Sequence, residues 1–112
     1  MKTIIKIIDG NLYKFDTNIN CIYIKYSNGI ESWRKYNKKG KLIYSKDSNG
    51  TEYWYNSKGK LIHTKDSYGI ESWRKYNKKG KLIHTKYSNG TEYWYNSEGI
   101  NITKKQFDKL TA

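Results

Sequence analysis

The sequence repeats itself, and this constrains the fold more than any other feature. Residues 29–40 return unchanged as residues 69–80, and residues 50–59 return as residues 90–99 with one substitution. Gly29, Gly50, Gly69 and Gly90 are spaced 21, 19 and 21 residues apart, so the unit is about 20 residues long. A chain of this kind stacks one supersecondary element many times, and each copy contacts only its neighbours.

A common turn pattern separates the repeated segments. Asn or Asp stands first and Gly fourth in most turns, which is the preference of a type I turn that ends in a left-handed residue and closes a hairpin with a bulge. The units alternate between a long form, Trp-Arg-Lys-Tyr-Asn, and a short form, Trp-Tyr-Asn, and a difference of two residues preserves side-chain alternation along a strand. The pattern predicts an all-β, up-and-down antiparallel meander of about ten short strands. The turns are residues 26–29, 37–40, 47–50, 56–59, 66–69, 77–80, 87–90 and 96–99.

The chain of 112 residues has room for a single domain, residues 1–112. We divide it into an N-terminal capping hairpin with a degenerate strand (1–25), four repeat units (26–99) and a C-terminal cap (100–112). Thr103 and Gln106 have the spacing of a capping box, which predicts a short helix in the last part. Cys21 takes the place of a repeated leucine and is interpreted as a small core residue.

The strands do not alternate apolar and polar residues as sandwich strands do. Trp54 and Tyr55 are adjacent, so large aromatic side chains point to both faces. This predicts one twisted sheet of about 20-residue hairpin repeats, exposed on both faces, in which long side chains cover one another across strands. The turn lengths place Tyr44 opposite Trp54 and His63 opposite Trp73. A face-to-face dimer that buries one side is the alternative, so a monomer and a homodimer both remain open.

Composition narrows the class of protein. The chain has 22 Lys+Arg against 10 Asp+Glu, a formal net charge of +12, and 16% aromatic residues. Disordered chains are poor in aromatics, so we expect a folded protein. The charge suits an acidic partner, although AT-rich codons also favour Lys, Ile, Asn and Tyr without any functional reason. A single cysteine, and the lack of a signal peptide or membrane-length apolar run, predict a cytoplasmic protein of a bacterial host cell with no membrane association.

Few residues suggest catalysis or metal binding. His63 and His84 occupy equivalent positions, and no further ligand follows at metal-site spacing. A glutamate recurs once per unit, two residues before each Trp, and four equivalent carboxylates do not give the distinctive environment that a general acid needs. We therefore expect no enzymatic activity, no metal and no cofactor. The recurring glutamates are Glu31, Glu52, Glu71 and Glu92.

The candidate binding residues are the repeated aromatic and basic side chains. The rings can stack on bases or anchor a protein partner, or they can pack against one another across strands. Two arginines stand beside Trp in a chain that otherwise uses Lys, which suggests a planar contact with a partner. The predicted binding residues are Trp33, Arg34, Lys35, Trp54, Tyr55, Trp73, Arg74, Lys75, Trp94 and Tyr95, and the basic turn tips are Lys38, Lys39, Lys78 and Lys79.

Residues 36–42 read Tyr-Asn-x-x-Gly-x-Leu and resemble the YD repeat, whose pattern is Tyr-Asp-x-x-Gly-x-Leu followed by a second glycine. The pattern recurs at residues 55–61 and 76–82, so the resemblance covers roughly residues 26–99. Asn replaces Asp in every unit, and the family's frequent proline before the second glycine is absent. MORN-type repeats are more distantly similar. A short array of four units resembles the small repeat proteins of phages and other mobile elements.

Three functional hypotheses follow from this resemblance and from the residues. In the first, the protein is a non-enzymatic, anti-CRISPR-like inhibitor that binds a host effector nuclease or its guide-RNA complex, and Arg34 and Arg74 dominate binding. In the second, it binds RNA or DNA directly through phosphate neutralisation and base stacking, and the turn-tip lysines dominate. In the third, it is an antitoxin or immunity partner of a toxin.

Overall fold

The computed structural model of the chain describes residues 3–111, which form one open antiparallel sheet and a short helix. Eleven strands of this region lie in chain order, which confirms the up-and-down meander and adds one short strand, β11, to the predicted ten. The elements are β1 (Ile4–Ile8), β2 (Asn11–Phe15), β3 (Cys21–Lys25), β4 (Glu31–Tyr36), β5 (Leu42–Asp47), β6 (Glu52–Tyr55), β7 (Leu61–Lys65), β8 (Glu71–Tyr76), β9 (Leu82–Tyr87), β10 (Glu92–Tyr95), β11 (Asn101–Ile102) and α1 (Lys104–Thr111).

Hydrogen bonds explain the preference for Asn or Asp at the start of a turn. In the turn after β4, Asn37 Oδ1 accepts hydrogen bonds from the backbone N–H groups of Lys39 and Lys41, both at 3.0 Å. The carbonyl of Asn37 accepts a third bond from the N–H of Gly40. Gly40 has φ +81°, a left-handed conformation that favours glycine. One side chain therefore fixes the turn length, and the turn length fixes the register of the two strands.

Very little of the sheet is buried. Ile24 is the one buried hydrophobic residue among residues 3–111, and the other buried side chains are the small polar ones of Ser32, Ser72 and Thr85. The radius of gyration is 17.9 Å, whereas a compact domain of this length has about 13 Å. The sheet is therefore an elongated ribbon exposed on both faces, and contacts between side chains on neighbouring strands provide most of the packing.

The two ends of the ribbon are closed differently. At the C-terminal end the predicted capping box is present, because the Gln106 N–H donates to Thr103 Oγ1 at 3.1 Å and the Thr103 N–H donates to Gln106 Oε1 at 2.9 Å. The helix α1 packs against β10, where Phe107 and Tyr95 line one crevice. At the other end β1 is an exposed edge strand. In the described part of the chain no helix is long and apolar enough to cross a membrane.

Candidate functional site

Alternation of side chains along the strands gives the ribbon two different faces. We call one the arginine face, because it carries Arg34 and Arg74 together with the buried Ser32, Ser72 and Thr85. We call the other the ladder face, because most of its aromatic rings stack on a ring of the next strand. The ladder face is defined by Tyr23, Trp33, Tyr44, Trp54, His63, Trp73, His84 and Trp94.

The residues predicted from the sequence to bind a partner are divided between these faces. Each arginine is next to a tryptophan in the sequence, so the two side chains point to opposite sides of the strand and do not share a surface. The ladder face holds Trp33, Lys35, Trp54, Trp73, Lys75 and Trp94, and the arginine face holds Arg34, Tyr55, Arg74 and Tyr95. The structure therefore groups tryptophan with lysine rather than with arginine.

The longest aromatic stack covers four strands, β5 to β8. The ring centroids are 5.4 Å apart between Tyr44 and Trp54, 4.3 Å between Trp54 and His63, and 5.1 Å between His63 and Trp73. The predicted pairings of Tyr44 with Trp54 and of His63 with Trp73 are confirmed. Aromatic pairs at such distances stabilise a fold by about 0.5–1.5 kcal/mol each beyond the burial of their surface, so this stack is a major part of the packing.

The recurring glutamates hold the first ring of each aromatic pair. The Tyr44 hydroxyl donates to Glu52 Oε2 at 2.7 Å, and His63 Nε2 lies 3.1 Å from Glu71 Oε1. The same contact joins Tyr23 to Glu31 at 2.5 Å and His84 to Glu92 at 3.0 Å. This role was not predicted from the sequence, although the constant spacing of Glu two residues before Trp was a signal of it. The glutamates therefore position rings, and this explains why they recur in every unit.

The hydrogen bond between Tyr44 and Glu52 predicts a pH dependence. Desolvation and this bond raise the pKa of Tyr44 to about 12, from an ordinary value of 10.0. Since the pKa is higher in the folded state, the bond stabilises the fold fully below about pH 10, and the stabilisation is lost as the pH rises to about 12. We expect Tyr44→Phe to lower the free energy of unfolding by about 1 kcal/mol at neutral pH, measured by urea denaturation.

The control for this measurement is Tyr68→Phe, since the Tyr68 side chain is 89% exposed. This variant should keep the stability of the original protein at every pH. The difference between the original protein and Tyr44→Phe should shrink above about pH 10 and vanish or reverse by about pH 12, because an ionised Tyr44 would lie beside the Glu52 carboxylate. A difference that is the same at neutral pH and above pH 12 would contradict the assigned hydrogen bond.

The aromatic ladder is interrupted at two places. Trp33 stacks on Tyr23 at 5.8 Å on one side, but its partner on the next strand, β5, is Lys46. In the same way Trp73 stacks on His63, and its partner on β9 is Lys86. Trp33 and Trp73 are each 38% exposed. We call the interruption between Trp33 and Lys46 the first gap and the one between Trp73 and Lys86 the second gap.

The long form of the repeat causes the gaps. It contains an extra Arg-Lys pair between Trp and Tyr, which moves the next aromatic ring two positions along the strand, so that Tyr44 pairs with Lys35 instead of Trp33. In the short form the pair is missing, and Trp54 faces the ring of His63 directly. The two-residue difference between the unit forms therefore decides whether a tryptophan has a ring or a lysine on its second side.

Each gap opens into a cleft on the ladder face. The cleft at the second gap has a volume of about 780 Å³, and the cleft at the first gap about 410 Å³. Beside the first gap, Lys35 Nζ lies 5.2 Å from the centre of the Tyr44 ring. The side chains around the second gap include Trp73, Lys75, His84, Lys86, Ser88 and Glu92, and those around the first are Glu31, Trp33, Lys46, Asp47 and Ser48.

The turn lysines collect along one long edge of the ribbon, which we call the lysine edge. Alternate turns of a meander lie at the same edge, so the turns 37–41, 56–60 and 77–81 are neighbours. The turns 26–30, 47–51, 66–70 and 87–91 lie at the opposite edge and contain no lysine. The lysine edge consists of eight exposed side chains, Lys38, Lys39, Lys41, Lys58, Lys60, Lys78, Lys79 and Lys81.

These lysines keep their charge available for a partner. Of the lysines within residues 3–111, Lys104 alone forms an ion pair, with Asp108 at 3.0 Å. The lysines of the lysine edge and of the ladder face have no carboxylate oxygen within 4.0 Å. Over the same range, no group of three or more His, Cys, Asp and Glu side chains is placed to hold a metal ion. The positive charge of these lysines is therefore the property of this surface best suited to bind an anionic partner.

Comparison of the sequence with models of known protein families and with curated proteins finds no match. The resemblance to YD repeats stays a prediction.

Proposed function

We propose that the protein is a non-enzymatic binding protein that holds single-stranded nucleic acid on the ladder face and along the lysine edge. The observation that carries this proposal is the shared surface of lysines without ion pairs and tryptophan rings with one open side. Proteins that bind single strands with little sequence preference combine a basic groove for the backbone with aromatic platforms for the bases. The ladder face offers both on one surface.

The lysine edge supplies the electrostatic part of this binding. Two strands separate its neighbouring turns, which places the turns about 10 Å apart. This distance is close to the Debye length of about 10 Å at 0.1 M salt, so the turns act together as one basic strip. The opposite edge carries Asp47 and Asp66 in its turns and no lysine. The polyanion is therefore directed to one edge of the ribbon.

The β-strands that flank the gaps lead to this strip, whereas the clefts themselves are walled by Ser48 and Ser88 from turns of the opposite edge. The turn 37–41 joins β4 to β5, the two strands that flank the first gap, and the turn 77–81 joins β8 to β9 beside the second. Lys35 and Lys75 lie between each tryptophan and its turn. A single-stranded nucleic acid whose phosphates contact the turn lysines can therefore reach each open ring along Lys35 or Lys75.

The direct test is binding of fluorescently labelled oligothymidylate and oligouridylate, followed by anisotropy over a range of salt concentrations. We expect the logarithm of the association constant to fall linearly with the logarithm of salt concentration, by about 0.7 per phosphate contact. Four or more contacts then give a slope of about −3 or steeper. Absence of binding at low salt, or binding that salt does not weaken, would overturn the proposal.

A second candidate, inhibition of a host defence nuclease by a phage or mobile-element protein, is favoured by the arginine face. Arg34 and Arg74 are half-buried and form no ion pair within residues 3–111. A guanidinium group is suited to bidentate contact with a carboxylate of a protein partner. In that case purification from the native host should recover one nuclease even after nucleic acid is digested, and Arg34→Ala with Arg74→Ala should abolish its recovery.

A further inference from the structure

We infer that the two gaps are equivalent base-binding subsites, each of which takes one nucleobase against the open side of a tryptophan ring and the adjoining phosphate on the flanking lysines. The inference rests on the proposed function and assigns the positions where bases are read. The other two tryptophans have neighbours on both sides. Trp54 lies between Tyr44 and His63, and Trp94 lies between His84 and Ile102.

The open rings are already held in place for stacking. The planes of His63 and Trp73 are 9° apart with their centroids at 5.1 Å, so the second gap begins at the end of an ordered stack. Trp33 contacts Tyr23 at a centroid distance of 5.8 Å with the ring planes 51° apart, and Tyr23 is itself fixed by its bond to Glu31. A base entering the second gap continues an existing column, and a base entering the first contacts a ring already held by Tyr23. In both cases little side-chain freedom is lost on binding.

The rims of the two clefts are built alike. At the second gap Ser88 Oγ accepts a hydrogen bond from the Glu71 N–H at 3.0 Å, and the Ser88 N–H donates to the Glu71 carbonyl at 2.8 Å. Ser48 and Glu31 make the same two bonds at the first gap, at 2.9 Å and 2.8 Å. These bonds fix the turn that forms one wall of each cleft. The two sites thus share the same turn anchor, although the second cleft is larger and has Tyr87 where the first has Asp47.

Both clefts are large enough for a nucleotide, and the second is the more basic, because it has Lys75 and Lys86 with Glu92, whereas the first has Lys46 with Glu31 and Asp47. Their volumes of about 780 and 410 Å³ lie within the range of roughly 300–1,000 Å³ that is common for small-ligand sites. Lys75 and Lys86 flank the ring of Trp73 on neighbouring strands, and neither has a carboxylate oxygen within 4.0 Å. An aromatic base with an anionic phosphate is the ligand chemistry that uses both the ring and the lysines.

The two subsites can act on one strand. Four strand spacings separate the gaps, which corresponds to about 19 Å along the ribbon. The sheet also twists by roughly 20–25° per strand, so a bound nucleic acid winds with it by about a quarter turn between the gaps. Joining two weak sites through one ligand raises affinity by about 100-fold or more when the ligand spans both. Affinity should therefore rise steeply with oligonucleotide length.

The test uses substitutions that place a tyrosine ring in each gap. Lys46→Tyr with Lys86→Tyr places a ring opposite Trp33 and Trp73 and completes the ladder. Lys46→Gln with Lys86→Gln removes the same two charges and leaves the gaps open. The probe is oligothymidylate about twelve nucleotides long, within the usual site sizes of such proteins. The readouts are the affinity and the change in tryptophan fluorescence on binding.

We expect the Gln pair to bind about tenfold more weakly than the original protein and to keep the fluorescence change. The Tyr pair should lose the fluorescence change and bind at least tenfold more weakly than the Gln pair, with thermal stability equal to or above that of the original protein. Equal affinity of the two pairs with an unchanged fluorescence signal would overturn the subsites while the proposed function stands. Lack of binding by the original protein would overturn the proposed function itself.

Discussion

Neutralising four lysines of the lysine edge is expected to weaken binding of single-stranded nucleic acid by about 100-fold or more at low salt. The change is Lys38, Lys39, Lys78 and Lys79 to Ser. These side chains are exposed and have no carboxylate oxygen within 4.0 Å, so each is free to contact a phosphate. Losing four contacts also lowers the salt slope by about 3. Anisotropy titrations of labelled oligothymidylate at several salt concentrations measure both effects.

A control of equal charge separates the position of the lysines from the net charge of the protein. Arg34 and Arg74 to Ala, combined with Lys105 and Lys109 to Ser, also removes four positive charges, but from the arginine face and from α1. This variant should lose less than about fivefold in affinity, because long-range charge effects are screened over about 10 Å at 0.1 M salt. Equal losses in the two variants would mean that net charge, rather than the lysine edge, decides binding.

The fold can be predicted from the sequence because the residues of each turn determine the length of that turn. Asn37 and Gly40 define a turn of fixed length, and a fixed length sets which residues of the flanking strands are opposite. The turn from Asp47 to Gly50 has the same length, so the pairing of Tyr44 with Trp54 across it can be predicted from the sequence alone. The strand β11 could not be predicted in this way, because Asn101–Ile102 is only two residues long and lies outside the repeats.

The site follows from the sequence only in part. Alternation along a strand already separates Trp33 from Arg34, yet their adjacency in the sequence suggested a joint contact. The gaps are harder to foresee, because they depend on two registers at once. Trp33 has an open side only because the turn before β4 places Tyr23 on one side of it, and the turn after β4 places Lys46 on the other. The gaps follow only from the long and short unit forms combined with the lengths of both turns.

The lysine edge shows the same limit. The sequence identifies the basic turns, but the segregation of lysine to one edge depends on the meander order of the strands. Alternate turns share an edge only when every strand pairs with the next one in the chain. Once that order is known, successive turns can be assigned alternately to the lysine edge and to the opposite edge.

Separate replacement of Trp54 and Trp33 should show that Trp54 contributes more to stability and Trp33 more to binding. Trp54 stacks on rings at 5.4 and 4.3 Å on its two sides, whereas Trp33 stacks on one ring at 5.8 Å. Since a half-buried tryptophan with two stacked partners loses both pairs and its burial, we expect Trp54→Ala to lower the free energy of unfolding by about 2–3 kcal/mol. Trp33→Ala should cost about 1 kcal/mol. Urea denaturation measures both.

The effects of the two replacements on affinity are expected in the opposite order. Trp33→Ala removes an open ring and should weaken oligothymidylate binding about tenfold, which corresponds to a stacking contribution of about 1.4 kcal/mol within the usual range per base. Trp54→Phe keeps a ring in the stack, remains folded if the alanine variant does not, and should bind with nearly unchanged affinity. If the Trp54 variant loses more affinity than the Trp33 variant while folded, bases contact the continuous stack and not its open end. The ladder would then be the binding platform throughout, and the distinction between packed and open tryptophans would have no functional meaning.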